Sequence, residues 1–313
     1  MIILTGGLGF IGSNILSKLN QKKKKDILLV DTPNKKKLDN VKGLNYVDII
    51  EKKNFLKNLY QNKYKNIDCI LHQGACTDTQ EIDLKYLMYN NFEYSKKILQ
   101  FSNNNNINFV YASSASIYGN DKKIMKENKV LDEKKIKNFY ALSKLMFDKY
   151  VLDNKKKIKC AVGLRYFNVY GPKEHHKKNM SSPVLTFYNQ IKRNNICKIF
   201  SKYDGFNNGE HTRDFIHIDD VVDINIWAMK KKFVNIINVG TGVSSSFNSV
   251  ANLIIKNLKK GKIEYVNFPN QFKGKYQSFT RANISKLRKL GYKKKLSNID
   301  DGIHEYLKIL NNE

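Results

Sequence analysis

The segment Thr5-Gly6-Gly7-Leu8-Gly9-Phe10-Ile11-Gly12 reads G-x-x-G-x-x-G directly after an apolar run, Met1–Thr5, and directly before a helical pattern, Phe10–Leu19. Glycine at such positions lets the chain turn tightly and lets its backbone approach a pyrophosphate closely. The anion then rests on N–H groups at the positive end of the helix dipole. Asp31 closes the second predicted strand, 31 − 12 = 19 residues beyond Gly12, where a carboxylate meets the adenosine ribose of a dinucleotide. Strand, loop, helix and acid in this register commit the chain to a dinucleotide-binding fold. Gly6, Gly9 and Gly12 form the phosphate loop. Asp31 alone favours NAD, because a carboxylate repels the 2′-phosphate of NADP; Lys35-Lys36-Lys37 would offset that repulsion. On spacing alone the two cofactors stay open.

Strand-length apolar runs alternate with helical segments through the first half, the pattern of an α/β Rossmann fold with a doubly wound parallel sheet. Strands are predicted at Met1–Thr5, Ile27–Val30, Asp68–His72, Asn108–Ser114 and Lys159–Tyr166, and helices at Phe10–Leu19, Leu84–Asn103 and Phe139–Leu152. After Gly171-Pro172 the pattern loosens into a loop, Lys173–Met180, and a helix near Leu185–Lys192. A helix at Asp219–Lys231 and a strand at Ile236–Gly240 are expected to rejoin the main sheet. The tail supplies a strand, Ile263–Phe268, and a last helix opened by Ser297 with Asp300 three residues on, a capping-box spacing. The expected domains are a dinucleotide-binding domain over 1–168 with a returning segment 214–242, and a smaller C-terminal α/β substrate-binding domain from 169–213 and 243–313.

Tyr140 and Lys144 stand as Y-x-x-x-K, on one face of a helix. A free phenol titrates near 10, too high for a base at neutrality; a nearby ammonium and an oxidised nicotinamide would lower it. In a chain with 18 tyrosines and lysine everywhere the spacing carries little weight, since Tyr118/Lys122 and Tyr188/Lys192 share it. Position selects Tyr140, which follows a strand ending in Ser113-Ser114 by 26 residues (140 − 114). That interval sets the Ser114 hydroxyl beside the phenol, where it can bond the reacting hydroxyl or carbonyl.

The net charge of +28 invites a nucleic-acid partner, yet only five of the 56 basic residues are arginine (Arg165, Arg193, Arg213, Arg281, Arg288). Base-edge and phosphate recognition leans on the arginine fork, so the lysines read as solvated surface and no nucleic acid is expected. Cys69, Cys76, Cys160 and Cys197 form neither a C-x-x-C pair nor a metal-like cluster with histidine. That suits a reducing compartment and argues against disulfides or a bound metal. No run approaches the ~18 apolar residues of a membrane span, and a strand beginning at Met1 leaves no room for a signal peptide. A cytoplasmic protein without membrane attachment is expected.

With the glycine loop, Ser114, Tyr140 and Lys144 in order, the chain resembles the extended short-chain dehydrogenase/reductase family, whose members mostly process nucleotide sugars. Dehydratases of that family carry an Asp-Glu pair after the serine position. Here Ala115-Ser116 stands there, so elimination of water is not expected. Within that family the chain resembles the branch that epimerises ADP-heptose at C6, a step toward the lipopolysaccharide core. The resemblance is carried by His72-Gln73-Gly74-Ala75-Cys76-Thr77, Tyr111-Ala112-Ser113-Ser114-Ala115, Arg165-Tyr166-Phe167-Asn168-Val169-Tyr170-Gly171-Pro172 and Lys273-Gly274-Lys275-Tyr276-Gln277-Ser278-Phe279-Thr280.

That resemblance implies one tightly held NADP. Phe10, Ile11, Asp31, Thr32, Lys37 and Lys52 would line its adenosine end. Gln73, Gly74, Ala75, Cys76, Thr77, Asn90, Lys144, Val169 and Lys177 would line its nicotinamide half. Ser114, Tyr140, Lys144 and Lys177 would act on the substrate, Lys177 as a second acid/base. Asn168, Asn179, Thr186, Phe200, Ser201, Lys202, Tyr203, Arg213 and Tyr276 would hold ADP-heptose, with Arg213 suited to a fork on the diphosphate. A homo-oligomer, a pentamer, is also implied. Gln73 stands in place of the branch's glutamate and Thr186 in place of a histidine. Lys178-Asn179 replaces a smaller pair, which leaves the second acid/base between Lys177 and Lys178.

Overall fold

In the computed structural model, which describes residues 1–127, 133 and 136–312, the chain forms two compact units. The first gathers Met1–Ile117, Asn138–Arg165 and Val221–Ile237; the second gathers Tyr118–Lys137, Tyr166–Asp220 and Asn238–Glu313. Residues 118–137, assigned by sequence to the first domain, thus cluster with the second unit. Of the expected returning segment 214–242, only 221–237 lies in the first.

The first unit is built on a seven-stranded sheet. Its strands are β1 (Ile2–Thr5), β2 (Ile27–Asp31), β3 (Asp48–Glu51), β4 (Cys69–His72), β5 (Asn108–Ser114), β6 (Ala161–Tyr166) and β7 (Val234–Val239). They lie in the order β7-β6-β5-β4-β1-β2-β3. β1 runs parallel to both β2 and β4, β2 parallel to β3, and β4 parallel to β5. The order reverses at β1, and the crevice outside the carboxyl ends of β1 and β4 at that reversal is where an open α/β sheet receives its ligand. β1, β2 and β4 are buried at every position, as expected of parallel strands covered on both faces. Ile3, Val30, Ile70, Ile98, Phe109, Phe147 and Ala161 form the core of this unit.

Three local expectations need correction. The single helix expected over Leu84–Asn103 is broken: an α-turn Leu84–Leu87, a π-helical turn Met88–Glu93 and an α-helix Tyr94–Asn104 follow one another. β3 and the helix Lys52–Tyr60 were not foreseen, since Asp48-Ile49-Ile50-Glu51 sits at the sheet edge with only partial burial and shows no apolar run. The last helix, Ile299–Asn312, is capped not by Ser297 but by Asn298. The Asn298 Oδ1 accepts from Asp301 N and its Nδ2 donates to Asp301 Oδ2, both at 2.8 Å. The Ser297 N–H is instead taken by Asp220 at 2.8 Å.

The second unit packs the helices Pro183–Asn194, Phe247–Leu258 and Ile299–Asn312 around Val184, Ile191, Cys197, Phe215, Val250, Ile254 and Tyr306. Ile196–Phe200 pairs in parallel with Lys262–Val266, and Asn168–Tyr170 in parallel with Phe215–His217. All four cysteines are free. No described helix is long and apolar enough to cross a membrane.

Candidate active site

The glycine loop shows why its glycines cannot be exchanged. Gly6 has φ +68°, and a Cβ there would lie 2.7 Å from the Gly74 nitrogen. A Cβ on Gly12 would lie 2.2 Å from the Gly6 carbonyl oxygen. The loop therefore lies flat against the residues after β4. Gly9 is the N-cap of the helix Phe10–Gln21 and offers no side-chain acceptor to the first turn. A pyrophosphate supplies what the cap lacks, so the residues present fit a dinucleotide.

At the end of β2, Asp31 is buried and bound from three sides. Its Oδ2 accepts from Leu8 N at 3.1 Å, and its Oδ1 accepts from Thr32 N at 2.7 Å and Lys37 Nζ at 2.8 Å. Lys52, opening the helix after β3, donates to Asn90 Oδ1 and lies 4.8 Å over the Tyr94 ring. Burial pushes the Lys52 pKa down, opposed by Cys76 and Asp31. Of the Lys35–Lys37 run only Lys37 reaches Asp31; Lys35 and Lys36 are exposed. Gln73 donates from Nε2 to Asn225 Oδ1 at 3.0 Å, and Thr77 is exposed.

The helix Phe139–Asp153 starts at Asn138, whose Oδ1 accepts from Ala141 N at 2.7 Å. The cap aims the first turn so that Tyr140 and Lys144 both point into the unit, where both are buried. Tyr140 is hydrogen-bonded to Ser114. Ser114 Oγ accepts from Ser116 N at 3.2 Å and from Ser116 Oγ at 2.9 Å. With both lone pairs engaged, the Ser114 proton is free to donate to the phenol oxygen. Ser116, which the sequence offered only as a missing dehydratase acid, is thus a buttress for Ser114.

The electrostatics differ from the sequence expectation. Burial raises the Tyr140 pKa, and the Ser114 hydrogen bond opposes that rise. The Lys144 ammonium donates to the Ala112 carbonyl at 2.9 Å. Burial lowers the Lys144 pKa to about 8, with Asp148 and then Cys76 working the other way. The two rival Y-x-x-x-K tyrosines have structural partners. Tyr118 donates to Asn238 Oδ1 at 2.6 Å, and Tyr188 donates to the Leu310 carbonyl at 2.9 Å.

In the second unit, Arg213 is buried, lies 4.8 Å over the Tyr276 ring and is hydrogen-bonded to that residue. Its Nη1 donates to the Thr212 carbonyl at 2.9 Å. Tyr203 stacks on Phe268 at 3.9 Å and 11°. Phe200 meets Tyr276 edge-on at 6.2 Å, and His211 meets it at 5.4 Å. Phe268 and His211 were missed by sequence reasoning; aromatic density around 265–276 could have signalled Phe268, and no local signal marks His211. Asn168 and Val169 lie on the strand paired with Phe215–His217, and Ser201 is half-buried. Lys202 and Thr186 are exposed.

Lys177 lies in a 3₁₀ turn, His175–Met180, with its N–H on the Glu174 carbonyl at 3.0 Å. Burial lowers its pKa and Glu174 opposes the shift. The side chains of Lys178 and Asn179 lie outside the described residues.

Residues 2–240 match the NAD dependent epimerase/dehydratase family. Among solved structures, the chain is similar to the ADP-L-glycero-D-manno-heptose-6-epimerase of Helicobacter pylori, at 28% identity and a TM-score of 0.85 over 100% of this chain and 96% of that one. The UDP-N-acetylglucosamine 4-epimerase of Methanobrevibacter ruminantium also reaches 0.85, at 24% identity over 100% and 98%. The UDP-glucuronic acid 4-epimerase of Bacillus cereus, whose structure holds NAD, reaches 0.80 at 24% identity over 99% of each chain. The glycine cradle, the capped helix with Tyr140 and Lys144, and the match over most of the chain lead to one conclusion: this protein belongs to the NAD dependent epimerase/dehydratase family and is an enzyme acting on nucleotide sugars.

Proposed function

We propose that the chain interconverts ADP-D-glycero-D-manno-heptose and ADP-L-glycero-D-manno-heptose at C6, using NADP. The observation that carries a proton-transferring epimerase is the buried Tyr140 phenol hydrogen-bonded to Ser114. The heptose reading is supported by the end-to-end similarity to the Helicobacter pylori enzyme and by the segments around His72 and Tyr276. Ala115-Ser116, with Ser116 bound to Ser114, leaves no carboxylate for a dehydration.

A bound nicotinamide supplies the acceptor, and then the donor, of the hydride. Tyr140 takes the proton from the C6 hydroxyl, Ser114 swings its one proton from the phenol to the C6 oxygen as the ketone forms, and after the ketone turns, hydride returns to the opposite face of C6 and a proton to its oxygen. Lys177 is the proposed donor there; burial lowers the pKa of its ammonium, which makes the protonated side chain a readier proton donor. Arg213, braced by Tyr276, would grip the diphosphate.

NADP is favoured over NAD by the charges around Asp31. Lys37 neutralises the carboxylate directly, and Lys52 adds a second ammonium close enough to feel both Asp31 and Lys37. Purified protein is expected to carry NADP(H), released by acid and separated by chromatography. Finding NAD(H) alone would show that these lysines do not serve a 2′-phosphate.

The substrate test is incubation with ADP-D-glycero-D-manno-heptose and NMR of the C6 configuration, beside UDP-glucose, UDP-N-acetylglucosamine and UDP-glucuronic acid. The equal structural likeness to a UDP-sugar epimerase makes UDP-sugar epimerisation the second reading. Turnover of a UDP-sugar with none of the ADP-heptose would replace the first by the second. In the same assay Lys177→Met should block inversion; loss in Lys178→Met instead would move the acid/base by one position.

A further inference from the structure

The loop that carries Lys177 is closed on itself by one buried carboxylate. The loop leaves the strand Asn168–Tyr170 at Gly171 and ends at Ser182, the N-cap of the helix Pro183–Asn194. Glu174, inside the loop, is 0% exposed. Its Oε2 accepts from Ser182 N at 2.6 Å, and its Oε1 accepts from Ser182 Oγ at 2.6 Å and from Gly171 N at 3.4 Å. Both ends of the loop therefore donate to the same side chain. Ser182 Oγ also accepts from Leu185 N at 3.3 Å, so one hydroxyl caps the helix and fastens the loop. Packing fixes the other end, because Gly171 has φ +140° and a Cβ there would lie 2.4 Å from Ile218 Cγ2.

Burying a carboxylate is costly unless hydrogen bonds and an opposite charge compensate it. Gly171 and Ser182 supply the hydrogen bonds, but they are backbone and hydroxyl donors without net charge. The cation on which Glu174 acts is Lys177. Lys177 N donates to the Glu174 carbonyl at 3.0 Å, the bond that opens the 3₁₀ turn His175–Met180. In such a turn residues three apart fall on one side, which sets Lys177 over Glu174. Burial lowers the Lys177 pKa and the Glu174 charge raises it, since an opposite charge favours the ammonium. An uncharged acceptor could also close a loop. What a carboxylate adds at this position is its charge, and that charge falls on Lys177.

We propose that Glu174 is a positioning residue for the second proton transfer: its carboxylate ties Gly171 to Ser182 and so sets where the Lys177 ammonium stands. The inference rests on Lys177 as the donor on the second face. Glu174 acts through Lys177 and not on the sugar. Part of its effect is alignment, and a misplacement of about 1 Å costs on the order of 10²-fold in rate. The other part is charge, which favours the protonated amine, the form able to donate. Glu174→Gln removes both while keeping the side chain's length. Whichever way the carboxamide is turned, its NH₂ meets a donor of Gly171 or Ser182 that has no acceptor left there.

The test compares Glu174→Gln, Ser182→Ala and Lys177→Met, each loaded with cofactor and assayed on ADP-D-glycero-D-manno-heptose across a range of pH. Glu174→Gln is expected to lower kcat roughly 10- to 100-fold with KM within about threefold, the split expected when alignment is lost and binding kept. A donor lysine works only while protonated, so activity falls as pH rises through its pKa. Without the Glu174 charge that falling limb should move to lower pH. Ser182→Ala keeps the charge and loses one bond of the clamp, so its kcat should drop less, roughly three- to tenfold, with the limb in place. A second readout needs no turnover. Lysines dimethylated with carbon-13 are titrated by NMR, and the Lys177 signal is the one absent from Lys177→Met; its midpoint should also fall in Glu174→Gln. A kcat per folded molecule of Glu174→Gln within about threefold of wild type, an unmoved limb and midpoint, or a loss confined to cofactor occupancy would each overturn the proposal. Should Glu174→Gln fail to fold, Ser182→Ala decides, and an unchanged kcat there overturns the clamp. If Lys177→Met is crippled while Glu174→Gln is silent, this inference alone falls. A silent Lys177→Met removes the Lys177 assignment and this inference with it.

Discussion

Tyr140→Phe is expected to lower turnover by roughly 10²–10⁴-fold while leaving cofactor and sugar nucleotide bound, the range general acid–base groups supply. The substitution deletes only the hydroxyl. The ring stays packed, and Asn138 still caps the helix. What goes is the oxygen held by Ser114, and a neutral hydrogen bond of that kind contributes about 1 kcal/mol to stability, so the fold should tolerate the loss. Burial has raised the phenol pKa and lowered that of Lys144 to about 8. The phenol is therefore protonated at neutrality, and to act as a base it would need a positive charge supplied by the bound ligands. Turnover within about threefold of wild type, measured by NMR of the sugar, would take Tyr140 out of the mechanism.

Asp148→Ala is expected to destabilise the first unit by about 3–5 kcal/mol, the cost of leaving a buried charge without its partner. Asp148 is 0% exposed and Arg165 2%. The Asp148 Oδ2 accepts from Arg165 Nε at 2.8 Å and from Ser113 Oγ at 2.8 Å, while Oδ1 accepts from Tyr111 OH at 3.0 Å. Alanine strands three buried donors at once. The paired change Asp148→Leu with Arg165→Met should recover much of the loss, since apolar groups of similar volume avoid the desolvation that the ion pair has to offset. Chemical denaturation of the single and paired variants would check both statements; a single-variant loss below about 1 kcal/mol would mean that water reaches the site. Asp148 also raises the Lys144 pKa, so the paired variant should hold Lys144 neutral to lower pH even where it folds well.

The parts of this protein legible in its sequence are those where one residue type answers one physical demand. Gly6 and Gly12 are required by a positive φ and by a carbonyl 2.2 Å from a would-be Cβ, and glycine announces itself. β1, β2 and β4 are buried on both faces, so apolar runs mark them. β3 at the sheet edge has no such run. The contacts of Asn91 were invisible because they arise in a π-helical turn and join Cys76 and Ser143, two residues remote along the chain, which leaves no local pattern. The Asn298 cap was misread by one residue because Ser297, Asn298 and Asp300 all suit a helix start; the bond from Asp301 N to Asn298 Oδ1 decides for Asn298, and the Ser297 N–H goes to Asp220. Lysine was the reverse case: its abundance left spacing silent on Lys37 and Lys52, which only the family resemblance picked out, and their contacts with Asp31 and Asn90 set them apart from solvated neighbours.

The order of the sheet also sets a timetable for synthesis. β6 pairs on its outer side with β7, yet 67 residues (167–233) separate the end of one from the start of the other. At about 5–20 residues per second, several seconds pass between the emergence of β6 and that of the strand that closes it. Through that interval Ala161–Tyr166, a strand buried at every position in the finished protein, presents an open row of backbone donors and acceptors. Such an edge is a template for pairing with another chain. The nascent protein is thus most exposed to aggregation not while its dinucleotide loop is forming but while the second unit is being made.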